Sequence, residues 1–198
     1  MKIIGITGGV GAGKTEVMKI LKEIPGAFIL IADEAAHEVE KKGQECYERL
    51  VGLLSEDILS EDGEIDKSRM ASKIFGDEKL REETDRIVHP AVKKLILSMI
   101  KEKEKNGYSF FFIEAALLIE DGYEEICDEL WYVHADLLVR RERLKASRGY
   151  SDEKIDRIMA AQSSEEEFRR HCVFVIENNG DISETKRQIM EKIGGAVK

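Results

Sequence analysis

Lys14 and Thr15 stand at the end of a glycine cluster, Gly8-Gly9-Val10-Gly11-Ala12-Gly13-Lys14-Thr15, that fits the spacing G-x-x-x-x-G-K-[ST]. The chemistry open to that spacing is the holding of a polyphosphate. Glycines keep the turn clear of side chains, and backbone N–H groups at a helix N-terminus surround the anion. The lysine then reaches the β- and γ-phosphates, and the threonine hydroxyl holds Mg²⁺. A glycine cluster by itself is an ordinary turn, so its flanks decide. Ile3, Ile4 and Ile6 precede it as a buried strand, and Val17, Met18, Ile20 and Leu21 follow at helical spacing between Glu16 and Glu23.

Other residues able to do chemistry are spread along the chain. Asp33 closes the apolar run Ala27 to Ala32. It therefore falls at the carboxyl end of a strand covered on both faces, where open parallel sheets bind ligands. Two roles are open to it: cap of a helix starting at Glu34, and carboxylate that orients or deprotonates an acceptor hydroxyl. Glu114 and Glu120 follow the most apolar stretch, Tyr108 to Ile113, and read plainly as loop carboxylates. Arg140, Arg141, Arg143, Lys145 and Arg148 form the densest basic cluster, with Glu142 the single acid between Arg140 and Arg148. In an acidic chain that must gather phosphates, this favours anion binding over a solvated helix face. Asn178, in Glu177-Asn178-Asn179-Gly180, is either a turn residue or an adenine contact. His37 lies one helical turn beyond Asp33, and His89 precedes Pro90. Each is open to an acceptor-binding role and to a structural one, as a surface histidine and a helix breaker respectively.

The elements that must position these groups follow from periodicity. Further strands are expected at Glu129 to Ala135 and Val173 to Ile176, and helices alternate with strands. The fold class is α/β, a doubly wound parallel five-stranded sheet with a helical insertion and a helical lid. Between the second and third strands the pattern predicts helices over 43–54, 65–75 and 78–105, with a break at His89 and Pro90 opening the next helix. Asp136 and Ser151 each cap a helix, and the two meet at Arg148-Gly149-Tyr150 as a hairpin able to close over a nucleotide. Residues 1–42, 107–135 and 172–198 are read as the nucleotide-binding core. Residues 43–106 are the helical acceptor-binding region, and 136–171 the lid with its following helix.

Bulk properties narrow the function. The 198 residues carry a formal net charge of −9 and are 42% hydrophobic and 36% charged. That composition is globular, and the sign of the charge speaks against a nucleic-acid scaffold. Cys46, Cys127 and Cys172 are odd in number and lack metal-ligand spacing, which predicts a reduced, cytoplasmic protein. Met1-Lys2 leads directly into a strand, which leaves no place for a signal peptide, and no apolar run approaches a membrane span. The expectation is a monomer or small homo-oligomer with no nucleic-acid or membrane partner. A phosphate loop, a rim carboxylate and an arginine-bearing hairpin together describe a small-molecule phosphotransferase.

Taken in order, the motifs resemble the dephospho-coenzyme A kinase family of the P-loop kinase superfamily. The resemblance rests on G-I-T-G-G-V-G-A-G-K-T at Gly5 to Thr15, I-A-D at Ile31 to Asp33, His89-Pro90-Ala91-Val92, Leu117-Leu118-Ile119-Glu120, Arg157-Ile158-Met159-Ala160-Ala161-Gln162, and Val175-Ile176-Glu177-Asn178-Asn179-Gly180. It implies Mg²⁺-dependent transfer of the ATP γ-phosphate to the ribose 3′-hydroxyl of dephospho-coenzyme A, the last step of coenzyme A synthesis. By resemblance, Gly9, Val10, Gly11, Ala12, Gly13, Lys14 and Thr15 match the ATP loop, and Asp33 the carboxylate that serves the acceptor hydroxyl. The residues themselves add Glu16 and Asn178 as nucleotide contacts, Thr15 as the metal ligand, Lys14, Arg143 and Arg148 on the transferring phosphate, and His37, His89 and Glu120 as candidate acceptor contacts. Five positions depart from the family pattern. Ile31 stands where an Asp-x-Asp would begin, and Ala116 where proline precedes Leu-Leu. Cys172-Val173 replaces Ala-Asp. Ser147 stands where a second lid arginine would follow Arg143, so Arg148 reaches in from a shifted register or Arg140 or Arg141 substitutes. The competing readings are a nucleoside monophosphate or other small-metabolite kinase, and a nucleotide-dependent switch ATPase or GTPase. Neither Asn-Lys-x-Asp nor Leu-Ser-Gly-Gly-Gln is present to support a switch or transport module.

Overall fold

Strand β1 (Lys2–Thr7) is the middle strand of a sheet ordered β2-β3-β1-β4-β5. Its neighbours are β3 (Phe110–Glu114) and β4 (Glu129–His134), with β2 (Ala27–Ile31) and β5 (Phe174–Glu177) at the edges. The computed structural model describes residues 1–115 and 117–196, so Ala116, at the proline position, lies outside the described residues. All five strands run parallel, with Ile6 opposite both Glu114 and Trp131. The strands are apolar on both faces because helices cover both: Phe111, Phe112 and Ile113 are all fully buried. From β1 the chain moves out to β2, returns through β3, and crosses to β4 on the far side. The strand order therefore reverses at β1, and a ligand crevice belongs at the carboxyl end of that strand.

The helices are α1 (Lys14–Lys22), α2 (Ala32–Val39), α3 (Glu45–Leu54), α4 (Lys67–Ile74), α5 (Glu78–Lys105), α6 (Leu137–Arg148), α7 (Asp152–Ala160), α8 (Glu165–His171) and α9 (Ile182–Ala196). The chain divides into two compact units, Met1–Leu30 with Lys103–Lys198, and Ile31–Glu102. The first is built on the sheet, around Ile4, Ile6, Val17, Leu21, Phe112, Trp131, Val133 and Ile189. The second has its own core of Cys46, Leu50, Leu54, Ile58 and Ile87, against which Met70, Ile74 and Leu80 pack. No helix among the described residues is long and apolar enough to cross a membrane.

Two expectations need correction, and one helix is new. Asp33 is not the cap of α2: Ile31 occupies that position, and Asp33 lies inside the first helical turn. The predicted break at His89 does not occur, since α5 runs 28 residues straight through Pro90. Proline at this point removes the N–H that would serve the Arg86 carbonyl, at a cost of about 3 kcal/mol. The buried stripe of Thr84, Ile87, Val92, Ile96 and Ile100 continues on both sides of the proline. Burial of a helix face outweighs local propensity in such a case. Helix α8 had no counterpart in the sequence pattern, although Ser164 caps it by accepting from the Glu167 N–H at 3.1 Å.

Candidate active site

The glycine segment between β1 and α1 is built as an anion cradle. Gly13 caps α1 with φ 95°, a left-handed conformation that favours glycine. A Cβ there would also stand 2.2 Å from Nδ2 of Asn178, so the loop is closed tightly against the rim loop after β5. The N-terminal end of α1 presents the positive end of its helix dipole to the loop. Lys14, at the head of α1, folds back so that Nζ donates to the Gly8 carbonyl at 2.6 Å and lies 3.8 Å from Oε1 of Glu114. Thr15 and Glu16 are exposed on the same turn, with Glu16 paired to Lys19 at 2.7 Å.

Asn178, 4% exposed, is committed to this closure. Its Nδ2 donates to the Ala12 carbonyl at 2.7 Å, and its Oδ1 accepts from the Thr185 hydroxyl at 2.9 Å. Asn178→Ala deletes both bonds and strands a buried hydroxyl, which costs about 1–3 kcal/mol. A lower melting temperature is expected, together with a raised KM for ATP from a loosened loop, both read directly on the purified variant.

The basic helix α6 delivers its arginines to different places. Arg143 spans the loop and the rim, donating to the Ala12 carbonyl at 3.3 Å and the Asn178 carbonyl at 2.8 Å. Arg140 lies on the loop itself, with Nε donating to the Val10 carbonyl at 2.9 Å and Nη2 to Oε1 of Gln162 at 3.1 Å. Arg141 ties α6 to α7 through Asp152 and Asp156, and Lys145 bonds Asp152 at 2.8 Å. Arg148 is exposed at the hairpin tip, its guanidinium 5.8 Å from the Tyr150 ring. Gly149 takes φ 61° to turn the chain there. Of the two arginines named for the lid, the structure therefore brings Arg143 to the loop and leaves Arg148 at the tip.

In the second unit, Asp33 and His37 are both exposed on α2. His37 borders a cavity of about 220 Å³ with Glu40, Lys41, Glu64, Ile65 and Lys67. Lys67 is paired with the buried carboxylate of Glu40. Burial lowers its pKa, while the negative charge of Asp33 works in the opposite direction. His89 sits 3.8 Å from Asp85, one turn earlier on α5. In the first unit, Glu120 accepts from the Ser163 hydroxyl.

Two contributors escaped the sequence reading as individuals, and a third, Glu114, was named there only as a loop carboxylate. Glu114 was signalled by its place at the end of the strand that pairs with β1. Gln162, inside a motif already noted, accepts from the Val10 N–H at 3.0 Å. Lys67 carried no local signal.

A parallel sheet whose central strand runs into a glycine loop and a lysine-headed helix, with a basic helical hairpin laid on that loop, defines a P-loop kinase. The sequence profile for dephospho-CoA kinase matches residues 2–184, and the chain belongs to that family. Membership makes it an ATP-dependent kinase acting in coenzyme A biosynthesis by phosphorylation of dephospho-CoA. The dephospho-CoA kinase of Geobacter sulfurreducens is 36% identical over 191 residues, covering 96% of each chain. A crystal structure of a Thermus thermophilus protein superposes with TM-score 0.83 at 29% identity, covering 100% of this chain and 98% of that one. The dephospho-CoA kinase of Campylobacter jejuni shares the fold, with TM-score 0.75 at 20% identity over 99% and 98% of the two chains.

Proposed function

We propose that the chain carries the γ-phosphate of ATP to the ribose 3′-hydroxyl of dephospho-coenzyme A, with the donor on Gly9 to Glu16 and the acceptor hydroxyl served by Asp33. The observation that carries this reading is Lys14. Its ammonium lies within the loop on a carbonyl that a phosphate oxygen can replace with a stronger, charge-assisted bond. In the transfer, the hydroxyl oxygen bonds to the γ-phosphorus, its proton passes to the Asp33 carboxylate, and ADP leaves. Lys14 and Arg143 offset the charge on the phosphate oxygens, and Arg148 joins them when the hairpin closes. Asn178 fixes the nucleotide end of the loop, while His37, His89 and Glu120 serve the acceptor.

The Thr15 hydroxyl, exposed on the first turn of α1, suits Mg²⁺. That ion takes oxygen ligands and relies on substrate phosphates and water for most of its shell. When bound, Mg²⁺ supplies further neutralisation of phosphate charge. The reading includes a cytoplasmic site of action and a monomer or small homo-oligomer.

The test is an acceptor-resolved ADP-release assay with ATP and Mg²⁺, run with dephospho-coenzyme A, AMP, CMP, UMP and no acceptor. Turnover confined to dephospho-coenzyme A, with product phosphorylated at the 3′ position and activity lost in EDTA, is the expected result. Preference for a nucleoside monophosphate would overturn it in favour of a different kinase. Equal ADP release without acceptor would make the chain an ATPase.

A further inference from the structure

Arg140 is a half-buried cation with no carboxylate within ion-pair distance among the described residues. Its neighbours on α6 show the contrast: Arg141 and Lys145 are both spent on Asp152, and Arg141 also on Asp156. Burial lowers the Arg140 pKa, opposed by the electrostatic effects of Tyr132 and Glu165. A cation taken half out of water without a counter-charge is costly, which leaves the site in want of an anion.

The position of the guanidinium says where that anion would sit. A Cβ added to Gly9 would meet Nη2 of Arg140 at 2.3 Å and its central carbon at 2.6 Å, so the group lies against the glycine of the phosphate loop. Two of its five N–H donors are used, by Nε on the Val10 carbonyl and Nη2 on Oε1 of Gln162. Gln162 accepts at the same oxygen from the Val10 N–H, so one side chain holds both the loop and the arginine in register. Three N–H groups remain to meet phosphate oxygens, as a planar fork does well.

We infer that Arg140 binds the terminal phosphates of the nucleotide, filling from α6 the place of the second lid arginine where this chain has Ser147. Ser147 cannot do so: its hydroxyl bonds back to the Arg143 carbonyl at 2.6 Å. Arg140 needs no hairpin closure to act, since it is seated on the loop already. This inference rests on the reading of the loop as the ATP site.

The experiment is calorimetric titration of the purified protein and its Arg140→Gln, Arg140→Lys and Arg140→Ala variants with AMP, ADP and MgATP. Melting curves and steady-state turnover of dephospho-coenzyme A accompany it. Glutamine keeps much of the stem and an N–H for Val10, which guards against a variant that merely fails to fold. Expected is a loss that grows with phosphate count: AMP within twofold of wild type, ATP weakened at least tenfold, and lysine recovering part of it. Equal weakening of all three nucleotides would reduce Arg140 to a structural brace and overturn the inference, as would unchanged ATP affinity. A graded loss in the variants of a wild-type protein that never turns over dephospho-coenzyme A would sink the kinase reading and leave Arg140 in place. Normal turnover with an ungraded effect would do the reverse.

Discussion

Lys14→Ala is expected to lower kcat about 10²–10³-fold, the loss that follows when a preorganised charge at a developing anion is removed. The lysine is placed for this by its own backbone. It opens α1, so its Cα is fixed by the Gly13 cap, and its ammonium has only to exchange the Gly8 carbonyl for a phosphate oxygen. Steady-state kinetics with saturating dephospho-coenzyme A give kcat, and calorimetry with MgATP separates binding from chemistry. A variant with wild-type kcat and merely weaker ATP binding would make Lys14 a uniform binding group. Since Glu114 lies 3.8 Å from Nζ in a largely buried setting, a melting curve belongs beside the kinetics. Lys14→Ala combined with Glu114→Gln shows how much of any stability change is electrostatic.

Asp33→Asn should lower kcat about 10²–10⁴-fold, the usual worth of a positioned general base, with the ATP dissociation constant unchanged. The two readings of this residue differ enough in size for a single measurement to separate them. As an acid in the first turn of α2 it is worth about 0.3–1 kcal/mol of helix stability, with no effect on turnover beyond a few-fold. Asparagine keeps the volume and removes the charge, so folding is little disturbed. Near-normal turnover would return Asp33 to that modest structural role.

What could be read before the structure was local in origin. The loop, Lys14 and the Ser151-capped hairpin are written in residues a few positions apart, where glycine freedom and capping chemistry act directly. Arg140 could be named only as one of several substitutes, because its target, Val10, lies on the opposite side of the chain's longest detour, the helical insertion. Which arginine arrives depends on the rotation of α6 over the loop, and spacing within α6 carries no such information. Pro90 misled for the opposite reason. Its local preference was read correctly, but a buried stripe running through Ile87, Val92 and Ile96 outweighed it. Asp33 was placed one structural step too early because the strand stops at Ile31 and the helix begins at once.

The closure of the glycine loop has a consequence for the order in which the protein is made. The Ala12 carbonyl receives its bonds from Arg143 and Asn178, and Asn178 is steadied by Thr185. A nascent chain emerges from its N-terminus, so a turn made well before its partners is among the last to be finished. Until about residue 185 has cleared the exit, the cradle lacks its braces. Nucleotide therefore stabilises the completed protein by mass action but gives little help to the half-made one.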